Sequence, residues 1–179
     1  MKTLVHRTAI SENAPFSLAA LKIHARVDHD DDDIALDQMG RTAAAEIEHF
    51  AQVALLDQTI RVTVLNPEAT IGVALPVGPY KAGSPITVTI DGQAFTAFSV
   101  IEGLRPYLCY QQPTRGSALV IEYQAGFGEE ASGVPADLAQ ALLDQAVMHY
   151  DGRGPQDGKT LTTSPHMARI AARYRGVSL

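Results

Sequence analysis

The sequence predicts an α+β fold: a small bundle of about four helices with an antiparallel β subdomain inserted between helices 2 and 3. Two stretches with helical periodicity flank a central stretch that is β-branched and alternating. A chain of 179 residues has the usual size of one domain. We therefore expect a single domain over residues 1–179. Its helical part is predicted at about 16–57 and 134–175, and its β subdomain at about 58–126.

The first two helices are predicted from a capping residue and a run of acids. Residues 1–15 show no clear period, so we expect a loosely packed arm there. Ser17 is a suitable N-cap for a short helix that ends near Val27. The aspartates of 28–33 favour a helix start, because carboxylates are stabilised near the positive end of the helix dipole. The second helix is predicted from these aspartates to about Leu56.

The central part of the chain predicts about six strands between residues 58 and 124. Alternation of β-branched and polar residues marks most of them, and Asp91-Gly92 is a favoured hairpin turn. The predicted strands are 59–65, 71–75, 85–90, 93–100, 107–111 and 117–123.

Two further helices are predicted after the strands. The helix at about 135–151 has only a narrow polar stripe, so it should lie at the centre of the bundle. Ser164-Pro165 combines an N-cap with proline at the first helical position and predicts the start of a fourth helix. The intervening residues, 152–163, are polar and glycine-rich, and we expect a mobile loop.

Composition excludes several classes of protein. The lone Cys109 cannot form an intrachain disulfide or a multi-cysteine zinc site. No secretory signal is recognised at the start, and no run of about 18 apolar residues predicts a membrane span. The net charge of −6 argues against a general nucleic-acid-binding surface. The charge is uneven, since residues 1–60 carry ten acids and five bases, whereas 153–179 carry five bases and one acid.

No pattern in the sequence assembles a catalytic or metal site. The aspartate run could bind a divalent cation, but it lacks the glycine and distal glutamate of a calcium loop, so a solvated acidic helix start is the favoured interpretation. The six histidines form no metal-binding pair, and Cys109 has no electropositive neighbours. We predict no catalytic, cofactor-binding or metal-binding residue, and an interaction protein rather than an enzyme.

Two segments together resemble a known family. The first is SLAALKIHARVD at 17–28, followed by acids, and the second is VIEYQAGFGEEASGVPADLAQALLDQAVMHYDGRG at 120–154. Both motifs, in this order and in a chain of this length, resemble the head–tail connector (adaptor) proteins of long-tailed bacteriophages and gene transfer agents. The helix–β–helix order is similar over nearly the whole chain.

The resemblance implies a structural protein of the virion or phage-like particle, made in the bacterial cytoplasm and located at the head–tail junction. It implies a ring, usually a dodecamer, between the portal protein and a tail-side stopper or tail terminator protein. DNA would pass through the ring without sequence-specific binding. No catalysis, cofactor or membrane is implied.

Two groups of interaction residues follow as hypotheses. Family members commonly hold the portal with their C-terminal segment, which corresponds here to 165–179. The predicted portal-binding residues are Arg169, Arg173, Tyr174 and Arg175. The acidic residues predicted to line the lumen or rim of the ring are Asp30, Asp31, Asp32 and Asp33. Two alternatives stay open: another virion or tail-completion structural protein and, less favoured, a small metal-binding enzyme domain.

Overall fold

The computed structural model of the protein describes residues 2–67, 71–152 and 163–175. The chain divides into two compact units. The β unit comprises Met1–Ser11 and Asp57–Phe127, and the helical unit comprises Glu12–Leu56 and Gly128–Leu179. The predicted α+β class, with strands between the second and third helices, is confirmed.

The described residues of the β unit form two antiparallel sheets. One has five strands in the order β1-β2-β8-β4-β5, and the other has three in the order β3-β7-β6. The strands are β1 Lys2–Ala9, β2 Gln58–Leu65, β3 Gly72–Ala74, β4 Thr87–Ile90, β5 Gln93–Ala94, β6 Phe98–Ile101, β7 Tyr107–Tyr110 and β8 Ala118–Ala125.

The core of the β unit lies on one face of β2 and β8. These strands are paired along their full length, from Gln58 opposite Ala125 to Leu65 opposite Ala118. Alternate side chains are buried, as the period of a half-buried strand requires. The large apolar side chains buried on this face are Ile60, Val62, Val64, Leu119, Ile121 and Tyr123.

Two features of the sheets differ from the sequence prediction. The predicted arm over residues 1–15 is wrong for Lys2–Ala9, which forms β1 and pairs with β2. This edge strand is exposed on both faces, so it lacks the apolar alternation that marks a half-buried strand. The predicted strand 93–100 is divided into β5 and β6, because a tight turn interrupts it where the Phe98 N–H donates to the Thr96 carbonyl.

The helical unit contains α1 Leu18–Ala25, α2 Asp33–Ala51, α3 Ala136–Asp151 and α4 Pro165–Tyr174, with a 3-10 turn at Ala131–Gly133. Ser17 caps α1 as predicted, accepting a hydrogen bond from the Ala20 N–H. Helix α2 ends before the predicted Leu56, because Gln52 adopts a left-handed conformation with φ 54°.

Helix α3 is central in the helical unit, as its narrow polar stripe predicts. It packs against α1, α2 and α4. It buries Leu138, Ala141, Leu142, Gln145 and Ala146. Most of the predicted mobile loop at 152–163 lies outside the described residues.

Candidate interaction surfaces

The acidic turn, defined as Asp30–Asp33, connects α1 to α2. The Lys22 ammonium lies 2.5 Å from Asp30 and 2.7 Å from Asp33. The hydrogen bond to Asp30 is the main cause that raises the pKa of Lys22, and the same bond lowers the pKa of Asp30. The turn is therefore held against α1 by a single lysine.

The other two acids of the turn have different environments. Asp32 accepts a hydrogen bond of 2.5 Å from the Tyr150 hydroxyl of α3. Asp31 is exposed to solvent. Among residues 2–67, 71–152 and 163–175, no group of three or more His, Cys, Asp or Glu side chains is arranged to hold a metal ion. Within those same ranges, no helix has the length and apolar character to cross a membrane.

Helix α4 presents a basic face on an otherwise packed helix. Ser164 caps its start, and Met167, Ile170 and Ala171 are buried. Arg169 and Arg173 are exposed. Of the three predicted portal-binding residues within α4, these two arginines are exposed to solvent.

The remaining two predicted portal-binding residues contact their own chain. The Tyr174 hydroxyl donates to the Asp137 carboxylate of α3 at 2.7 Å. Desolvation, together with this hydrogen bond, raises the pKa of Tyr174 to about 12. The guanidinium carbon of Arg175 lies 5.8 Å from the centre of the Phe50 ring, a cation–π distance. Tyr174 and Arg175 therefore hold the end of α4 against α3 and α2, respectively.

A histidine–aspartate network, which sequence analysis did not predict, joins three helices. The Asp144 carboxylate of α3 is hydrogen-bonded to His24 of α1 at 2.8 Å and to His166 of α4. Gln140 donates to the same carboxylate at 3.0 Å. Desolvation opposes ionisation of Asp144, but the hydrogen bonds from His166, Gln140 and His24 together lower its pKa. The network stabilises the ionised carboxylate between α1 and α4.

A second network is centred on the buried Gln145. Its amide nitrogen donates to Glu46 of α2 at 2.8 Å, and its carbonyl oxygen accepts from the Ser164 N–H at 2.7 Å. His149 lies 3.0 Å from the same Glu46 oxygen. The first turn of α4 is thus tied through Gln145 to α3 and α2. The only trace of this network in the sequence is the polar Gln145 among the apolar residues Ala141, Leu142 and Ala146 of α3.

One face of the five-stranded sheet carries polar side chains. Arg61 and Glu122 lie opposite each other on β2 and β8 and form an ion pair at 2.9 Å. The ion pair lines a shallow depression on this face, together with Thr63, Thr87 and Thr89. The pair is partly exposed, so it satisfies the two charges without adding much stability.

Three solved structures are similar to this chain over nearly its whole length. A chain in the neck of an empty gene transfer agent (GTA) particle, computed with C6 symmetry, matches with a TM-score of 0.79 at 23% identity. A chain of the native GTA particle virion matches with a TM-score of 0.78 at 23% identity, and one in a native GTA neck computed with C12 symmetry matches with 0.76 at 22%. Each match covers 98% of this chain and 97% of the other.

The chain shares its fold with these particle chains. Because each match covers nearly all of both aligned chains, the similarity is not confined to the sheets or to the helices. At the level of fold, it confirms the resemblance that the two sequence motifs indicated. No family model and no curated protein matches the sequence.

Proposed function

We propose that this protein is a head–tail connector: a structural ring subunit in the neck of a phage or phage-like particle, between the portal and the tail. The observation that carries the proposal is the similarity over 98% of the chain to chains of GTA particles, two of them from structures of the neck. The C6 and C12 symmetries of those two structures support a ring. The function needs packing surfaces and no reactive group.

The charge of the chain suits a ring that DNA passes through. A surface that must let DNA slide should lack the lysines and arginines that bind phosphate. The chain has a net charge of −6, and Asp31 of the acidic turn is exposed. We place the acidic turn toward the lumen or a rim of the ring. A map of the assembled ring with these aspartates covered on its outer wall would exclude this placement.

The portal contact is assigned to the exposed face of α4 with its C-terminal continuation. Arg169 and Arg173 are exposed and can meet an acidic partner surface, whereas Tyr174 and Arg175 position the helix. Reversal of the two exposed charges is therefore the sharpest variant for this contact.

Removal of the gene followed by addition of purified protein tests the proposed function. Particles made without a connector should stop as DNA-filled heads that carry no tails. Adding the purified chain to those heads, together with free tails, should restore complete particles. Normal particles from the deletion strain would contradict the proposal. Empty heads, or tails of abnormal length, would favour a different particle component.

A further inference from the structure

The outer edge of β1 is open in the β unit. This strand has eight residues and pairs with β2 on one side, and no other strand in the described ranges pairs with its second side. It contains no proline, and its register is regular from Lys2 to Arg7. A long regular edge presents a row of unpaired backbone donors and acceptors, which is a template for an added strand.

The core face of the sheet is also uncovered at β1. Val62 and Val64 of β2 are 1% exposed, yet their cross-strand neighbours Val5 and Thr3 lie in solvent. Val5 is 43% exposed, and Leu4 on the opposite face is 37% exposed. The apolar surface of the sheet thus ends one strand before the sheet does, as expected where another molecule completes the packing.

The positive charge along β1 indicates which kind of strand could pair with it. Residues 1–11 contain Lys2, His6 and Arg7 and no acid, although the chain as a whole is acidic. An added strand should therefore carry a carboxylate and an apolar side chain.

The three-stranded sheet offers such a strand. Its edge strand β6 ends at Ile101, which is 58% exposed, and is followed by the exposed Glu102. The other open edges of the described β unit, β3 and β5, have three and two residues. Strand β6 is the longest of these edges and has four residues.

We propose that β6 of one copy adds, antiparallel, to the open edge of β1 on the neighbouring copy, and that this joint links subunits around the ring. The proposal rests on the proposed function. Two different edges make the contact heterologous, which closed rings require, whereas pairing of β1 with itself would close a dimer. We choose the register in which Glu102 lies beside Lys2, since their charges are opposite, and antiparallel addition then places Ile101 beside Thr3.

Chemical cross-linking of assembled necks tests the joint. In a Cys109→Ser background, Thr3→Cys and Ile101→Cys would be combined and treated with a short bismaleimide. Both sites are exposed, so the fold should tolerate the changes, and circular dichroism checks this. We expect the band on a denaturing gel to shift from monomer to dimer, trimer and larger species. Thr3→Cys with Ile71→Cys, an exposed site beside β3, is the matched control and should stay monomeric.

Charge exchange gives a second readout. In the double-cysteine protein, Lys2→Glu should abolish most of the cross-linked dimers, trimers and larger species. Adding Glu102→Lys should restore them. A double-cysteine variant that remains monomeric in intact necks overturns the β1–β6 joint while leaving the connector function standing. Dimers formed by Thr3→Cys alone would also overturn it, in favour of β1–β1 pairing. Absence of the wild-type chain from necks overturns both proposals together.

Discussion

Tyr123 shows how a single hydroxyl joins a strand to a loop in the β unit. Its oxygen donates to the Val77 carbonyl at 2.8 Å and accepts from the Val77 N–H at 3.1 Å, with the side chain 1% exposed. Burial raises the pKa of this phenol far above its usual range, so it remains a neutral donor at any physiological pH.

Removing that hydroxyl should cost measurable stability. Tyr123→Phe leaves both backbone groups of Val77 without this partner, and an unsatisfied buried polar group costs about 1–3 kcal/mol. Urea denaturation followed by circular dichroism measures the loss. Tyr107→Phe is the matched control on β7, since within the described ranges its hydroxyl makes no hydrogen bond, and it should change stability by less than about 0.5 kcal/mol. Equal effects of the two variants would contradict this account.

Asp144 predicts a defined pH dependence of stability. Its pKa is lower in the folded protein than the ordinary value of 3.8, so the ionised form stabilises the fold. This contribution is complete above the unfolded pKa and is lost as the pH falls through the folded one. The free energy of unfolding of Asp144→Asn should therefore lie below wild type at pH 7, and the gap should narrow below about pH 4.

Asp151→Asn, at an exposed position near the end of the same helix, serves as the control for Asp144. It should shift the free energy of unfolding by less than about 0.5 kcal/mol at pH 7. A constant gap between Asp144→Asn and wild type from pH 7 to pH 3 would show that the carboxylate charge contributes nothing.

At the scale of elements, the attachment of α4 depends on Gln145. Gln145→Leu removes the acceptor of the buried Ser164 N–H and the donor to Glu46. The expected loss is about 1–3 kcal/mol. Because the bond lies at the start of α4, hydrogen exchange should accelerate most in that helix. Gln38→Leu, an exposed position on α2, is the control and should leave α4 protected. Unchanged exchange in α4 for Gln145→Leu would refute this role.

The elements also show which information is local in the sequence. The starts of α1 and α4 could be predicted because Ser17 and Ser164 cap their own helices within three residues. Strand β1 could not be predicted, because its residues pair with residues of β2 that lie 50 or more positions further along the chain, and neither of its faces is buried. The Asp144 and Gln145 networks join separate helices, so no spacing along one segment identifies them.

At the scale of the whole molecule, the basic face of α4 should control portal binding. Arg169→Glu with Arg173→Glu reverses two exposed charges without touching the buried side of the helix. We expect portal capture by the purified chain to be lost, as it should be when the chain is stopped at Thr163. Arg26→Glu with Arg115→Glu, both exposed, changes the net charge equally and should retain binding. Undiminished capture by the α4 variant would remove this surface from the portal contact.

The most direct test is a cryo-electron microscopy map of particles produced with this chain. We predict density for the whole fold, repeated as a ring around the DNA channel between portal and tail. Particles whose neck is fully built from other chains, with this protein absent or elsewhere in the particle, would contradict it.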